Sequence, residues 1–296
     1  MTVRALLPSV LHTTDRPSST AQWTTLGRAL ELNRRERIVT DECAPVFLSE
    51  SSRFLLRAFS AAGPVFRQAE RLEPVGLATS GLCRHRFIDE HLLAALPDAE
   101  QVMILGAGYD SRAYRFATEI GARPVFEVDL PPLSRRKAAI VASHPEPFGR
   151  ASVHRVEIDF RTQSLPDGLA GSGFTPGAPT FVVWEGVSPY LTRDAVDATL
   201  AALAEVCGSG SVVAMDFWQR VGGIGIYQLR ARLERAMRLI GEPITFSIRP
   251  EAAKAQLRAH GFQPLDIADG REMTRRYATG GRRCDPGLYV VAARLS

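Results

Sequence analysis

The chain has 296 residues, 45% of them hydrophobic, with a formal net charge of +4, enough to bury one large core within a single elaborated domain. Of 36 basic residues only Lys137 and Lys254 are lysines, and the arginines are scattered close to acids, which argues for a solvated mixed surface and against a nucleic-acid partner. Cys43, Cys83, Cys207 and Cys284 form no CxxC pair and have no histidine at ligand spacing, so reduced thiols and no metal are expected. The opening MTVRALLPSVLH is interrupted by Pro8, too short for a signal peptide's apolar region, and no later run reaches the ~20 apolar residues of a membrane span; a cytoplasmic protein is expected.

Residues 1–20 lack apolar periodicity and read as a loose arm, the rest (21–296) as one domain. From Ala21 to Phe59 apolar residues recur at helical spacing, broken by Pro45, which predicts a helical layer over 21–83. The core follows over 84–296. RHRFIDEHLLAAL, from Arg84, reads as an amphipathic helix, and Gln101–Leu105 as a strand buried on both faces. Further strands are predicted at Val125–Asp129, Val153–Ile158, Phe181–Glu185, Val212–Phe217, Gln263–Ala268 and Leu288–Ala293. Helices are predicted between them near Leu133–Ala142, Arg193–Cys207, Tyr227–Ile240 and Glu251–His260. This alternation specifies a mostly parallel, doubly wound α/β sheet whose ligand crevice lies at the carboxyl ends of the strands. The Gly/Pro stretch 168–179 reads as a loop, and residues 218–248, with Gly222, Gly223 and Gly225 ahead of a helix, as a candidate lid.

The chemistry sits where strands end. LGAGYDSRAYRF puts Gly106, Ala107 and Gly108 directly after the first strand, where the glycines permit a tight turn and close approach of a ligand. A dinucleotide fingerprint wants a third glycine where Ser111 stands, and a helix N-terminus free for a pyrophosphate. Asp110 occupies that place and repels phosphate, unless it serves only as an N-cap. S-adenosylmethionine, with a sulfonium, an ammonium and no phosphate, suits it better. In FEVDL, Glu127 and Asp129 share one face, and one of them suits ribose hydroxyls while the other caps the helix opening after Pro131 and Pro132. At the third strand's end Asp159 and Phe160 suit adenine. Glu185 emerges from four apolar residues and demands a cation: the cofactor's ammonium, or an arginine in a structural salt bridge. Tyr109, Tyr190 and Trp218 are candidate acceptor-binding aromatics.

Taken together, VMILGAGYDSRAYR, FEVDLP, IDF, WEGVSPYL and GEPITF resemble the leucine carboxyl methyltransferase family, including its bacterial branch associated with polyketide tailoring. The resemblance runs in order from about Arg28 to Phe262. It implies a class I methyltransferase fold: a Rossmann-like seven-stranded sheet, an N-terminal helical layer and a cap after the fifth strand. It also implies Arg84 (or its neighbour Arg86) at the cofactor's carboxylate, Gly106 at its methionine portion, Asp129 at the ribose, Asp159 and Phe160 at the adenine and Glu185 near the amino group. A basic residue on the first helix is implied too, with Arg28 the nearest match.

The expected activity is S-adenosylmethionine-dependent O-methylation of a small molecule, most simply a carboxylate of a natural product. The alternatives are a phenol or hydroxyl acceptor, a protein's C-terminal carboxylate, an NAD oxidoreductase (disfavoured by Asp110 and Ser111) and a nucleotide-binding module without catalysis. The sequence offers no persuasive general base: His85 reads as structural, and His91, His144, His154 and His260 lie away from the expected crevice. Gly106→Val is expected to abolish cofactor binding and leave the fold intact.

Overall fold

The computed structural model describes residues 19–63, 65, 68, 76–149, 151–159, 162–219 and 244–296. The arm to residue 18, Phe160 and most of the 218–248 insertion, with Tyr227 and its helix, lie outside them. Seven strands, β1 (Gln101–Leu105), β2 (Val125–Asp129), β3 (Val153–Glu157), β4 (Thr180–Trp184), β5 (Val212–Trp218), β6 (Phe262–Ala268) and β7 (Leu288–Leu295), form one sheet. Its order is β3-β2-β1-β4-β5-β7-β6. Strands β1 to β5 pair in parallel and β7 runs antiparallel between β5 and β6. The order reverses between β1 and β4, so the crevice lies at their carboxyl ends.

Each face of the sheet carries its own core, as period-two alternation requires. Val102 and Ile104 join one apolar cluster with Phe87, Ile88 and Phe181, while Met103 and Leu105 join the other with Phe126, Trp184 and Leu200. The first is covered by the N-terminal layer of helices α1 (Ser19–Glu31), α2 (Ala44–Phe47), α3 (Glu50–Ala61) and α4 (Leu77–Ala95). Later helices are α5 (Pro131–Ser143), α6 (Arg193–Val206), α7 (Pro250–Ala259) and α8 (Gly270–Tyr277).

Three helix starts depart from the sequence expectation, each for a steric reason. Helix α4 starts at Leu77, seven residues before Arg84, so the layer and the core share one continuous helix. Its N-cap, Gly76, has φ 66°. A Cβ there would lie 2.2 Å from the Arg283 carbonyl oxygen, so the start of the helix is set by a contact some 200 residues away in sequence. Helices α5 and α7 begin on Pro131 and Pro250 themselves. Proline's fixed φ suits the first turn, where its missing N–H has no partner to lose. Helix α8 escaped prediction because GREMTRRY holds only two large apolar residues, Met273 and Tyr277; Asp269 starts it by accepting from the Arg271 and Glu272 amides.

Candidate active site

The glycine turn is pinned to β2 from both sides. Gly106 and Ala107 donate their amides to the Val128 carbonyl at 2.9 and 3.2 Å. Gly108 donates to Asp129 Oδ2 at 2.6 Å, and Leu130 donates to Asp129 Oδ1 at 2.7 Å. Gly106 holds φ 64°, and a Cβ there would meet Val187 at 2.5 Å, so the floor beside β4 admits only glycine. Of the two acids on β2, Asp129 keeps partial exposure and Glu127 is 2% exposed, with Oε1 accepting from Lys137 Nζ at 2.8 Å. Asp129 therefore faces the opening and Glu127 does not. Ile158 donates to the Asp129 carbonyl at 3.0 Å, which brings Asp159 beside the end of β2.

On the other side of the switch point stands a buried network of charges. Arg84 Nε donates to Glu185 Oε1 at 2.9 Å and its Nη1 to Asp216 Oδ2 at 3.0 Å. Arg86, two positions on, is exposed and pairs with Glu90, so of the two sequence candidates only Arg84 joins this network. Arg112, fully buried, donates to Asp89 Oδ1 at 2.7 Å and to Asp110, and lies 2.7 Å from Glu185 Oε2. Arg115 binds Asp89 through both oxygens. Glu185 thus has the arginine partners of a structural salt bridge, and Asp110, one residue before the N-cap Ser111 of the Arg112–Arg115 turn, accepts from the Arg112 amide at 2.8 Å and pairs with the Arg112 side chain.

His85 lies inside this network, 1% exposed. Burial first, and then Arg112, hold the imidazole below its usual value, so it is neutral at pH 7. Its Nδ1 faces Glu185 Oε2 at 2.9 Å and its Nε2 faces Arg115 Nη2 at 2.9 Å. The tautomer with hydrogen on Nδ1 satisfies both contacts, the ring donating to the carboxylate and accepting from the guanidinium, and leaves Arg112 Nη2, 2.8 Å from Nδ1, to donate to Glu185 and to the His85 carbonyl. His85, Asp110 and Glu185 lie within 4.8 Å of one another, a spacing a metal ion would accept. The Arg112 guanidinium stands between the two carboxylates of that trio and pairs with both.

With His85 neutral, Arg84, Arg112 and Arg115 face Asp89, Asp110, Glu185 and Asp216: one carboxylate more than guanidiniums. The excess negative charge at the crevice favours a cationic ligand such as a sulfonium. Burial acts to raise Glu185, but the Arg112 and Arg84 guanidiniums, with the hydrogen bond from His85, outweigh it and hold the carboxyl well below the usual range. Burial pushes Asp129 and Asp216 up.

These shifts set the acid stability. As pH falls below about 6.5 the unfolded chain protonates a histidine that the folded protein keeps neutral, so stability drops. Below about 4.5 Glu185, Asp41 and Asp110, all held low in the fold, add a steeper loss. Asp129 and Asp216 act in the opposite sense and offset part of that second stage. Urea midpoints measured across pH should show both stages, and His85→Gln should remove the first. A midpoint level from neutrality to pH ~5 would show that His85 is protonated in the fold.

The remaining sequence candidates separate. Tyr190 and Trp218 are partly exposed near the carboxyl ends of β4 and β5. Tyr109 is 5% exposed, its ring 5.6 Å from that of Phe47. Arg28 Nη2 donates to the Tyr109 carbonyl at 2.7 Å and its Nε lies 2.8 Å from Asp41, so the N-terminal layer grips the glycine turn. Asp216 was missed although it closes the apolar run VVAM as Glu185 closes its own. Arg112 was quoted within a motif without a role, and Asp41 and Asp89 gave no local signal.

Comparison with known proteins accords with this geometry. Residues 21–204 match the sequence profile of leucine carboxyl methyltransferases. A Mycobacterium tuberculosis relative, whose name assigns it to the S-adenosyl-L-methionine-dependent methyltransferases, is 30% identical over 268 residues, covering 88% of this chain and 85% of its own. A Streptomyces coelicolor protein with the same assignment is 33% identical over 206 residues, 65% of this chain and 66% of its own. In fold, a Thermobifida fusca structure described as a methyltransferase superposes with a TM-score of 0.59 at 16% identity, 98% of each chain covered. A glycine turn and strand-end acids at the switch point of this sheet define a class I S-adenosylmethionine-dependent methyltransferase. The chain belongs to the leucine carboxyl methyltransferase family.

Proposed function

We propose that the enzyme methylates a carboxylate oxygen of a small-molecule acceptor, a natural product of the polyketide type, to give a methyl ester in the cytoplasm, without a nucleic-acid partner. The observation that carries this reading is His85. Among the described residues it is the only histidine beside the glycine turn, and both of its ring nitrogens are engaged. His91 and His260 pair with Asp266 and Asp197, and His144 and His154 lie exposed elsewhere. A phenol with a pKa near 10, or an alcohol, needs a base within reach, whereas a carboxylic acid near 4 is already ionised. The family's carboxyl chemistry points the same way.

The cradle fits the cofactor: Gly106 lets the backbone turn tightly against Val187 at the strand end, and Asp129, which among the described residues accepts from two backbone amides, has lone pairs left for ribose hydroxyls. Gly106, Ala107 and Gly108 would floor the methionine portion, with Asp159 and Phe160 at the adenine. When bound, S-adenosylmethionine supplies a methyl group on a sulfonium whose departure leaves a neutral thioether. Arg84 would take the ligand's carboxylate and Glu185 its ammonium, exchanging one ion pair for two. The chain's part is to align the donor and exclude water; no side chain moves a proton. Tyr190 and Trp218, with Tyr109 behind them, would bound the acceptor.

The test is methyl transfer to a panel of carboxylic acids and phenols. The expected product releases methanol in mild base, and the rate stays level between about pH 6.5 and 9 because nothing essential titrates there. A base-stable product, or a rate that rises with a phenol's ionisation, would transfer the assignment to hydroxyl methylation. Labelling confined to a protein's C-terminus would transfer it to that carboxylate.

A further inference from the structure

Lys137 is one of two lysines among 36 basic residues, and it is 2% exposed. It projects from α5, and its Nζ donates to the Asp110 carbonyl at 2.6 Å and to Glu127 Oε1 at 2.8 Å. The rings of Phe47 and Tyr114 lie on its remaining side, each centroid 5.8 Å from Nζ. The compact ammonium thus meets a carbonyl, a carboxylate and two aromatic faces in one dry pocket. A planar guanidinium, which spreads its donors in a fixed fork, does not match that arrangement. Stability alone gives little reason for the pair, since buried ion pairs are often replaceable by apolar residues at no loss.

What the ammonium touches supplies the reason. Asp110 closes the glycine turn, its amide donating to the Ala107 carbonyl at 2.7 Å. Glu127 lies two residues before Asp129 on the same face of β2. The turn is otherwise held at its start by the Gly106 and Ala107 amides on Val128, in its middle by Asp129 through Gly108 and beyond that by Arg28 at the Tyr109 carbonyl, and Asp129 is the acid that must also serve the ribose.

We propose that Lys137 is a positioning residue for the cofactor: by joining the Asp110 carbonyl to Glu127 it holds the Gly106–Asp110 turn in register with β2 while Asp129 is shared with the ligand. Glu127 is accordingly the counter-ion of that lysine and touches no ligand. The proposal rests on the assignment of the glycine turn and Asp129 to the cofactor.

The experiment measures S-adenosylhomocysteine affinity by calorimetry, with urea midpoints in parallel, at a temperature where every variant used is folded. If the wild-type protein binds and Gly108→Val does so equally, the cofactor assignment itself fails, independently of Lys137. With that assignment standing, Lys137→Met is expected to weaken binding roughly tenfold to hundredfold, the loss of one charge-assisted hydrogen bond. Lys137→Arg should weaken it similarly. Glu127→Gln, which leaves the bond to the Asp110 carbonyl in place, should weaken it less. Amides of residues 108–112 should exchange faster in Lys137→Met.

The double variant Lys137→Met with Glu127→Met covers the case in which the single one does not fold, because it removes both buried charges together. Its expected signature is a recovered urea midpoint with binding still weak. Binding equal to wild type in Lys137→Met, or recovered along with stability in the double variant, would reduce Lys137 to an ordinary core residue and overturn the proposal. Lys254→Met, at the surface, is the control and should change neither reading.

Discussion

Arg112→Met is expected to be the most damaging single substitution in the described fold. The guanidinium is wholly buried and stands between Asp89, Asp110 and Glu185, with a further bond to the His85 carbonyl at 3.1 Å. Methionine fills much of the space, leaves Asp110 without its guanidinium and leaves Asp89 and Glu185 with one guanidinium each, from Arg115 and Arg84. Removing one partner of a buried ion pair costs about 3–5 kcal/mol, against a total stability of roughly 5–15 kcal/mol for a domain. Urea unfolding should show the loss directly, and much of the variant should be insoluble. Arg112→Lys should rescue little, because one ammonium does not reach acids fanned around a planar fork. A variant with an unchanged midpoint would mean that water or protons already neutralise those acids.

Gly106→Val comes next, and the structure changes what it is expected to do. From the sequence the substitution reads as a clean probe that blocks the cofactor and spares the fold. With φ at 64° and the new Cβ 2.5 Å from the Val187 Cγ2 atom, it strains the backbone and the packing against β4 as well. A β-branched residue held in the left-handed region costs on the order of 1–3 kcal/mol before the clash is counted. Cofactor binding should be lost and the melting temperature should fall with it. Val187→Ala introduced beside it should recover part of the melting temperature by relieving the clash and little of the affinity, since a β-branched residue at φ 64° still distorts the turn. Unchanged cofactor affinity in Gly106→Val would show that the turn is only a turn.

The sequence reading located the acids at strand ends because a carboxylate closing an apolar run is a one-dimensional signal. Glu185, Asp129 and Asp159 all carry it, and Asp216 carries it equally. Their use was not legible. Glu127 and Asp129 sit two residues apart on one strand with identical local chemistry, and only Lys137, arriving from α5, removes one of them from the crevice. Likewise Arg84 and Arg86 differ by two positions in a helix; the packing of α4 against β4 and β5 buries the first and leaves the second in water.

By itself the sequence determined the strand and helix alternation, the place of the glycine turn and the class of chemistry, because hydrophobic periodicity and glycine at a strand end are properties of neighbouring residues. It placed five of the seven strands' first residues and the last residues of three. Only the tertiary structure decided how the charges are spent. His85, Asp89, Arg112 and Asp41 form one buried network with Arg84, Glu185 and Asp216 through contacts between residues as many as 132 positions apart, such as Arg84 with Asp216. The energy of burying a charge depends on which partner the fold brings to it, and no local pattern encodes that partner.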